Sequence, residues 1–221
     1  MKNIQKINIL GEKYSVAKTN SKEDLELFVD SHGTCNKYRE RILIDDPENR
    51  ETLEKLVKRH EIVHAFIKES GLEHSEIDTE LNAHWIASQF PKMLKIFEKV
   101  EAIIRENNLQ QREINMNKTK ILGTTYKVCK TNSKEDSDLA ETSHGTCNKY
   151  QKKILIDDNI FPDHPESREA REKLVKRHEI IHGFIQESGL EHSEIDSELN
   201  VHWIASQFPK MLKVFEKADA L

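Results

Sequence analysis

The pentapeptide His60-Glu61-Ile62-Val63-His64 recurs later in the chain as His178-Glu179-Ile180-Ile181-His182. In an α-helix, residues four positions apart lie one above the other on the same face, so the two histidines of each pair can reach a single ion. The glutamate between them lies at the edge of that face, where it can contact a water beside the ion. The two stretches therefore predict two metal-binding helices of the H-E-x-x-H type.

The sequence around these helices is duplicated as well. The octapeptide from Ser31 to Tyr38 recurs unchanged at residues 143–150, an offset of 112, and from Pro47 onward the offset is 118. Residues 159–164 are therefore an insertion in the second copy. Repeats of this length indicate a duplicated domain, because solenoid repeats have periods of about 20–50 residues.

The duplication predicts three regions in the chain. We expect a first domain at residues 1–104, a linker at residues 105–118 and a second domain at residues 119–221. Domains of this size have small cores, so a bound metal or packing between the two copies would help to stabilise them.

Composition restricts the classes of function. The chain has 34 Lys and Arg against 39 Asp and Glu, a net charge of −5, with both signs interleaved. It has no basic run of the kind that binds nucleic acid, and no apolar stretch of about 18 residues that could span a membrane. The N-terminus lacks the apolar core of a signal peptide, and three cysteines do not form a disulfide framework. We expect a cytoplasmic protein that binds neither nucleic acid nor membrane.

Short β-like runs precede the helices in each copy. In the first copy, two runs within residues 6–17 form a predicted hairpin, and two more lie within residues 34–45. Asp46 and Pro47 then predict the start of the metal-binding helix, and Gly71 predicts its end. A second helix is expected to begin near Ser75 and to be kinked or restarted at its proline, Pro91. Strands followed by helices indicate an α+β fold.

A catalytic zinc site typically has three protein ligands and one open position. The second helix offers Glu80 and His84, which are four residues apart and share a face. We predict that His60, His64 and Glu80 bind one Zn²⁺, and that His84 holds a ligand histidine in the correct tautomer. The second copy provides the same set in His178, His182 and Glu198, with His202 as the supporting residue, which gives two Zn²⁺ per chain.

This arrangement resembles the gluzincin plan of thermolysin-like zinc peptidases. In those enzymes a later helix supplies a glutamate ligand and, four residues on, an aspartate that steadies a ligand histidine. Each copy also resembles small zincin-like proteins encoded by phages and, in outline, the ImmA/IrrE metallopeptidases. The resemblance rests on the stretch HEIVHAF from His60 and on the stretch from Trp85 to Pro91, and it implies a minimal zincin domain in each copy. This chain departs from the gluzincin plan by having His84 or His202 at the position of the aspartate.

The resemblance implies zinc-dependent hydrolysis of peptide bonds in a specific protein substrate. Glu61 and Glu179 would then accept the proton of the attacking water. An extended substrate is expected to add to residues 41–45 or 153–157 as an edge strand, unless their isoleucines only fill the core. The chemistry of the side chains makes three residues candidates for stabilising the oxyanion: His32, Tyr38 and His74.

Two other interpretations remain open. If His84 or Cys35 completes the tetrahedron (His202 or Cys147 in the second copy), the site is a closed structural zinc site. Alternatively, the zincin scaffold is retained for binding or regulation without turnover. The glutamate between each pair of histidines favours hydrolysis, because a structural site has no need of it.

Overall fold

A computed structural model describes residues 4–20, 22–24, 26–27, 32–45, 51–100, 118–140, 143–159 and 165–221. The described residues form two four-stranded mixed sheets and four α-helices, in agreement with the predicted α+β class. The elements of the first copy are β1 (Ile4–Ile9), β2 (Glu12–Thr19), β3 (Gly33–Asn36), β4 (Arg41–Asp45), α1 (Glu51–Glu69) and α2 (Glu80–Lys99). Those of the second copy are β5 (Lys118–Ile121), β6 (Thr124–Thr131), β7 (Gly145–Asn148), β8 (Lys153–Asp157), α3 (Pro165–Glu187) and α4 (Glu198–Lys217).

The two sheets have the same topology. The strand order is β1-β2-β4-β3 in the first and β5-β6-β8-β7 in the second. The strands β1 and β2 form the predicted antiparallel hairpin, whose two turn residues, Leu10 and Gly11, have φ values of 51° and 110°. Such positive values match the twist of the flanking strands. The strand β4 pairs in parallel with β2 and antiparallel with β3.

The prediction of an edge strand at residues 41–45 or 153–157 was wrong. The strand β4 lies between β2 and β3, and Ile42 and Ile44 are fully buried. The strand β8 occupies the same internal position in the second sheet. Ile42, Leu43 and Ile44 are all buried, so the isoleucines fill the core, which is the alternative that the sequence analysis left open. The edge strands next to them are β3 and β7.

The helix α1, which carries the first H-E-x-x-H motif, ends as predicted at Gly71. This glycine has a φ of 73°, and the N–H of Leu72 donates to the carbonyl of Ile67 at 3.1 Å, which closes the last turn. The predicted start at Asp46 and Pro47 lies outside the described residues. In the second copy the corresponding proline, Pro165, is the first residue of α3, the position that suits a residue without an N–H.

The second helix begins later than predicted. The hydroxyl of Thr79 accepts the N–H of Asn82 at 3.2 Å and so caps α2, which starts at Glu80. Ser75, near which the helix was expected to begin, lies in the preceding loop, where its hydroxyl donates to the carbonyl of Leu72 at 2.6 Å. Glu80 is therefore in the first turn of α2, directly beside the loop that leads into it.

We predicted that Pro91 kinks or restarts the second helix. The predicted restart was wrong, because α2 continues through Pro91 to Lys99. A proline has no N–H, so the carbonyl four residues earlier, that of Ala87, loses its helical donor. The Nε of Arg59 donates to this carbonyl at 2.7 Å. Another side chain therefore supplies the hydrogen bond that the helix lacks.

The chain forms two compact units. One contains residues 1–90 and 208–221, and the other contains residues 91–207, so the unit boundaries lie within α2 and α4 and differ from those of the sequence repeats. Within the first unit, Phe90 stacks on Phe208 with ring centroids 3.8 Å apart. The predicted linker, 105–118, lies outside the described residues except for Lys118. None of the helices in the described ranges is long and apolar enough to cross a membrane.

Candidate metal centres

The three predicted ligands of the first copy come together at the junction of α1 and α2. The Nε2 atoms of His60 and His64 lie 3.2 Å apart. The two carboxylate oxygens of Glu80 lie 3.1 Å from Nε2 of His60 and 3.3 Å from Nε2 of His64. Helical spacing places the histidines, and the cap at Thr79 places the glutamate. The group could hold a metal ion.

The second copy repeats this arrangement. The Nε2 atoms of His178 and His182 are 3.1 Å apart, and the carboxylate of Glu198 lies 3.1 Å from the first and 3.2 Å from the second. These three residues could also hold a metal ion. In both copies the glutamate is at the rim of the site, with a side chain that is 84% exposed in Glu80 and 79% exposed in Glu198.

An aspartate that the sequence analysis missed supports one histidine in each group. Asp196 hydrogen-bonds to Nδ1 of His182 at 3.2 Å, and Asp78 lies 3.4 Å from Nδ1 of His64. A proton on Nδ1 leaves the lone pair on Nε2, which faces the other ligands. This is the role predicted for the histidines on the second helix. The aspartates come two residues before the glutamate ligand rather than four after it, so helical spacing did not identify them.

The loop before the second helix fixes these aspartates. The backbone N–H of His74 donates to Oδ2 of Asp78 at 3.2 Å, and that of His192 donates to Oδ2 of Asp196 at 3.3 Å. Both histidines have a positive φ, 67° in His74 and 66° in His192, which turns the chain back on itself. His74, a candidate for the oxyanion role, thus contributes its backbone to the ligand loop.

His84 and His202 lie beside the ligand groups and are exposed. The ring of His84 is 6.1 Å from that of His60, and the ring of His202 is 6.2 Å from that of His178, measured between centroids. Among the described residues, each group of His, Cys, Asp or Glu atoms within 4.8 Å of one another has three members, and neither histidine belongs to one.

The cysteines that could have closed the sites are also outside these groups. The thiol of Cys147 donates to Oε1 of Gln186 at 3.5 Å. Burial raises the pKa of Cys147 to about 12, and the pKa of Cys35 is raised to about 12 in the same way. Without a metal ion, both side chains are therefore protonated thiols at neutral pH.

Glu61 is buried under strand β3, with only 6% of its surface exposed. A Cβ on Gly33 would lie 2.7 Å from Oε1 of Glu61 and equally close to Val57. The second copy has the same close approach, since a Cβ on Gly145 would lie 2.8 Å from Oε1 of Glu179. Only glycine allows the strand to pass this close. The sequence analysis did not identify this role of Gly33 and Gly145.

The environment changes the pKa values of both the glutamates and the histidines. Burial, followed by the charge of Glu80, raises the pKa of Glu61 to about 8, although Lys68 opposes this shift. Burial and Glu198 raise the pKa of Glu179 to about 8. Burial, together with the neighbouring His182, lowers the pKa of His178 to about 4. Its imidazole is therefore neutral at pH 7, which is the form that binds metals.

A cavity of about 520 Å³ opens in front of the second group. The two histidine ligands, Glu179, Glu198 and strand β7 line this cavity. His144, the counterpart of His32, also lines it, and its Nδ1 lies 3.9 Å from Oδ2 of Asp157. Tyr150, the counterpart of Tyr38, is 94% exposed and is not among the described residues that line the cavity. Of the three oxyanion candidates, His32 is thus the one whose counterpart lines the cavity.

No protein-family model, curated protein or solved structure matches this chain. Its function must therefore be inferred from the chemistry of the two sites.

Proposed function

We propose that the protein is a zinc-dependent peptidase in which each copy is a minimal zincin domain with its own hydrolytic centre. The observation that carries this proposal is the position of a buried glutamate beside a three-ligand group. In the second copy, Glu179 lines the same cavity as His178, His182 and Glu198. A metal site with a purely structural role has no use for such a carboxylate.

The spacing of the ligand atoms supports zinc as the metal. Zinc binds histidine and carboxylate ligands at about 2.0–2.2 Å in a tetrahedron, which separates neighbouring ligand atoms by roughly 3.3–3.6 Å. The Nε2 atoms of the two histidines are 3.2 Å apart in the first copy and 3.1 Å apart in the second. Each nitrogen lies 3.1–3.3 Å from a different oxygen of the glutamate, so the separations are close to, and slightly shorter than, those of a zinc tetrahedron. If both Nε2 atoms present lone pairs, as two metal ligands do, they repel each other at this distance, and a divalent ion between them would remove the repulsion.

Three protein ligands would leave one tetrahedral position for substrate or water. Bound zinc would supply a Lewis acid that makes water nucleophilic near neutral pH. Glu61 and Glu179 are the residues placed to accept the water proton and return it to the leaving amine. A nearby cation favours the carboxylate form of each glutamate, and this opposes the effect of burial on the pKa. His144, which lines the cavity of the second copy, would stabilise the oxyanion there.

The edge strands are the proposed docking sites for an extended peptide. Gly33 and Gly145 bring β3 and β7 over the glutamates, and in the second copy β7 lines the cavity. A peptide that adds to such an edge lies along the site with its side chains alternating on two faces. We therefore propose an extended segment of a protein as the substrate.

The test is peptide cleavage by the zinc-loaded chain, followed with a mixture of peptides and mass spectrometry. Replacing Glu61 and Glu179 together by Gln should lower the rate by at least about 100-fold, because the general base is lost. The zinc content should stay unchanged, because neither residue is a ligand. Cleavage that continues at the parent rate contradicts the proposed base, and zinc binding without any cleavage by the parent indicates a binding scaffold.

A further inference from the structure

An arginine side chain lines the cavity in the second copy, and the corresponding residue in the first copy is apolar. Fourteen residues line this cavity. Twelve of them are identical at the corresponding positions of the first copy, and two differ. Arg171 corresponds to Leu53, and Gln186 corresponds to Lys68. The duplication has therefore kept the chemistry of the site and changed the groups around it.

Arg171 is on the metal-binding helix, on the face that lines the cavity. Leu174, Val175 and His178 follow it at intervals of three, four and seven residues, and all three also line the cavity. Seven residues of α-helix span about 10 Å, so Arg171 is about two turns from the first ligand histidine. This distance corresponds to about three residues of an extended peptide, so Arg171 would contact a group away from the bond being cleaved.

The exchange of Lys68 for Gln186 does not cancel the effect of the exchange of Leu53 for Arg171. In the first copy, Nζ of Lys68 donates to the carbonyl of Cys35 at 3.1 Å, so this cation binds strand β3. In the second copy, the side-chain oxygen of Gln186 accepts a hydrogen bond from the thiol of Cys147. Among the described residues that line the cavity, Arg171 is the one with a permanent positive charge.

We propose that Arg171 binds a carboxylate group of the ligand in the second site, and that the first site, with Leu53, prefers an apolar group there. This inference rests on the proposed binding of peptides. A guanidinium pairs with a carboxylate through two parallel hydrogen bonds, whereas a leucine offers only apolar surface. The carboxylate belongs to an acidic side chain or to the C-terminus of the peptide. The two sites of one chain thus select different sequences.

The experiment uses the full zinc-loaded chain with one site removed at a time. His60→Ala with His64→Ala isolates the second site, and His178→Ala with His182→Ala isolates the first. The probes are short peptides that carry an N-terminal hydroxamate. One has Glu and an amidated C-terminus, one has Gln and an amidated C-terminus, and one has Gln and a free C-terminus. Their affinities are measured by calorimetry.

The second site should bind a carboxylate probe about tenfold more tightly than the amidated Gln probe, in line with a charge-assisted hydrogen bond. Arg171→Leu, which installs the residue of the first copy, should reduce this preference to about twofold or less, and Leu53→Arg should create it in the first site. Tighter binding of the Glu probe indicates that Arg171 binds an acidic side chain. Tighter binding of the Gln probe with a free C-terminus indicates that it binds the C-terminal carboxylate. Equal affinity for all probes, including no measurable affinity, overturns the inference, as does a preference that survives Arg171→Leu.

The same samples separate this inference from the proposed activity. A preference that depends on Arg171, without any peptide cleavage, supports the inference and contradicts the peptidase. Cleavage that depends on Glu179 but does not distinguish the probes supports the peptidase and overturns the inference.

Discussion

The Nε of Arg59 donates to the carbonyl oxygen of Ala87 at 2.7 Å, and Ala87 lies four residues before Pro91. The proline frees this carbonyl from the helix, and the arginine occupies it. Because Arg59 directly precedes His60, the bond connects the helix that carries the proposed histidine ligands to the helix that begins with Glu80, the third proposed ligand. Arg177 and Ala205 form the same bond, also at 2.7 Å, before Pro209.

Replacing Arg59 by Met should lower the free energy of unfolding by about 2–3 kcal/mol, because a buried carbonyl loses a charged donor. In a Pro91→Ala background the loss should be smaller, since the alanine N–H at position 91 can bond to Ala87. Urea unfolding of the four proteins of this cycle measures the coupling. Part of the cost should persist, because Arg59 also donates to the carbonyl of Ala220. Strictly additive effects would contradict the role assigned to the arginine.

Replacing Gly145 by Ala should disturb Glu179. The new Cβ would lie 2.8 Å from the carboxylate and 2.7 Å from Val175, so we expect a loss of about 1–3 kcal/mol in stability. Cleavage by the second site should fall at least about tenfold while its zinc is retained, because the general base is displaced and the ligands are not.

Gly183→Ala is the matched control for this substitution. Its Cβ would meet only the terminal methyl of Ile121 at 2.7 Å and the Cys147 thiol at 3.5 Å, and the first copy already has Ala65 at this position. We expect the control to stay within about 1 kcal/mol of the parent. If Gly145→Ala is as harmless as the control, β7 does not constrain Glu179.

Asp196→Asn should weaken zinc binding at the second site by about 10–100-fold, the usual effect of losing the carboxylate behind a ligand histidine. His202→Ala should change the affinity by less than about threefold, because its ring is beside the ligand group and outside it. Competition with a zinc chelator measures both affinities, with the first site removed. The opposite order would restore the supporting role to His202, as the sequence analysis predicted.

The stability that Glu187 contributes should depend on pH. Partial burial raises its pKa, but hydrogen bonds from Thr124, Tyr126 and Lys152 outweigh burial and lower the pKa to about 2. An acid whose pKa is lower in the folded state stabilises the fold above its unfolded pKa, here the ordinary value of 4.5, and loses this contribution as the pH falls towards 2. Glu187→Gln should therefore cost about 1–2 kcal/mol at pH 7 and almost nothing near pH 2.

Urea unfolding of the parent and of Glu187→Gln at pH 7, 4 and 2.5 tests this expectation. The difference between the two proteins should shrink at each step. A constant difference would mean that packing, rather than charge, accounts for the role of Glu187.

Local patterns predicted the parts of the site that depend on local geometry. His60 and His64 share a helix face because of their spacing, and Gly71 ends that helix because it tolerates a positive φ. Glu80 was predicted together with His84, because the two residues are four positions apart and share a face of the next helix. All of these follow from residues close together in the chain.

The parts that were missed depend on contacts between distant segments. The internal position of β4 follows from its parallel pairing with β2, which no local pattern specifies. Asp78, which contacts His64, lies in a loop whose shape depends on backbone hydrogen bonds. The second helix continues through Pro91 because its missing donor comes from Arg59, 28 residues before Ala87. Gly33 was missed because its closeness to α1 is a tertiary contact.

The zinc content of the purified chain tests the central claim most directly. After zinc loading and dialysis, elemental analysis should find about two zinc ions per chain, one for each three-ligand group. Removing the histidine pair of either copy should lower the content to about one, and removing both pairs should lower it to about zero. A parent chain that retains no zinc, or a chain that keeps its zinc without these histidines, would contradict the two metal centres described here.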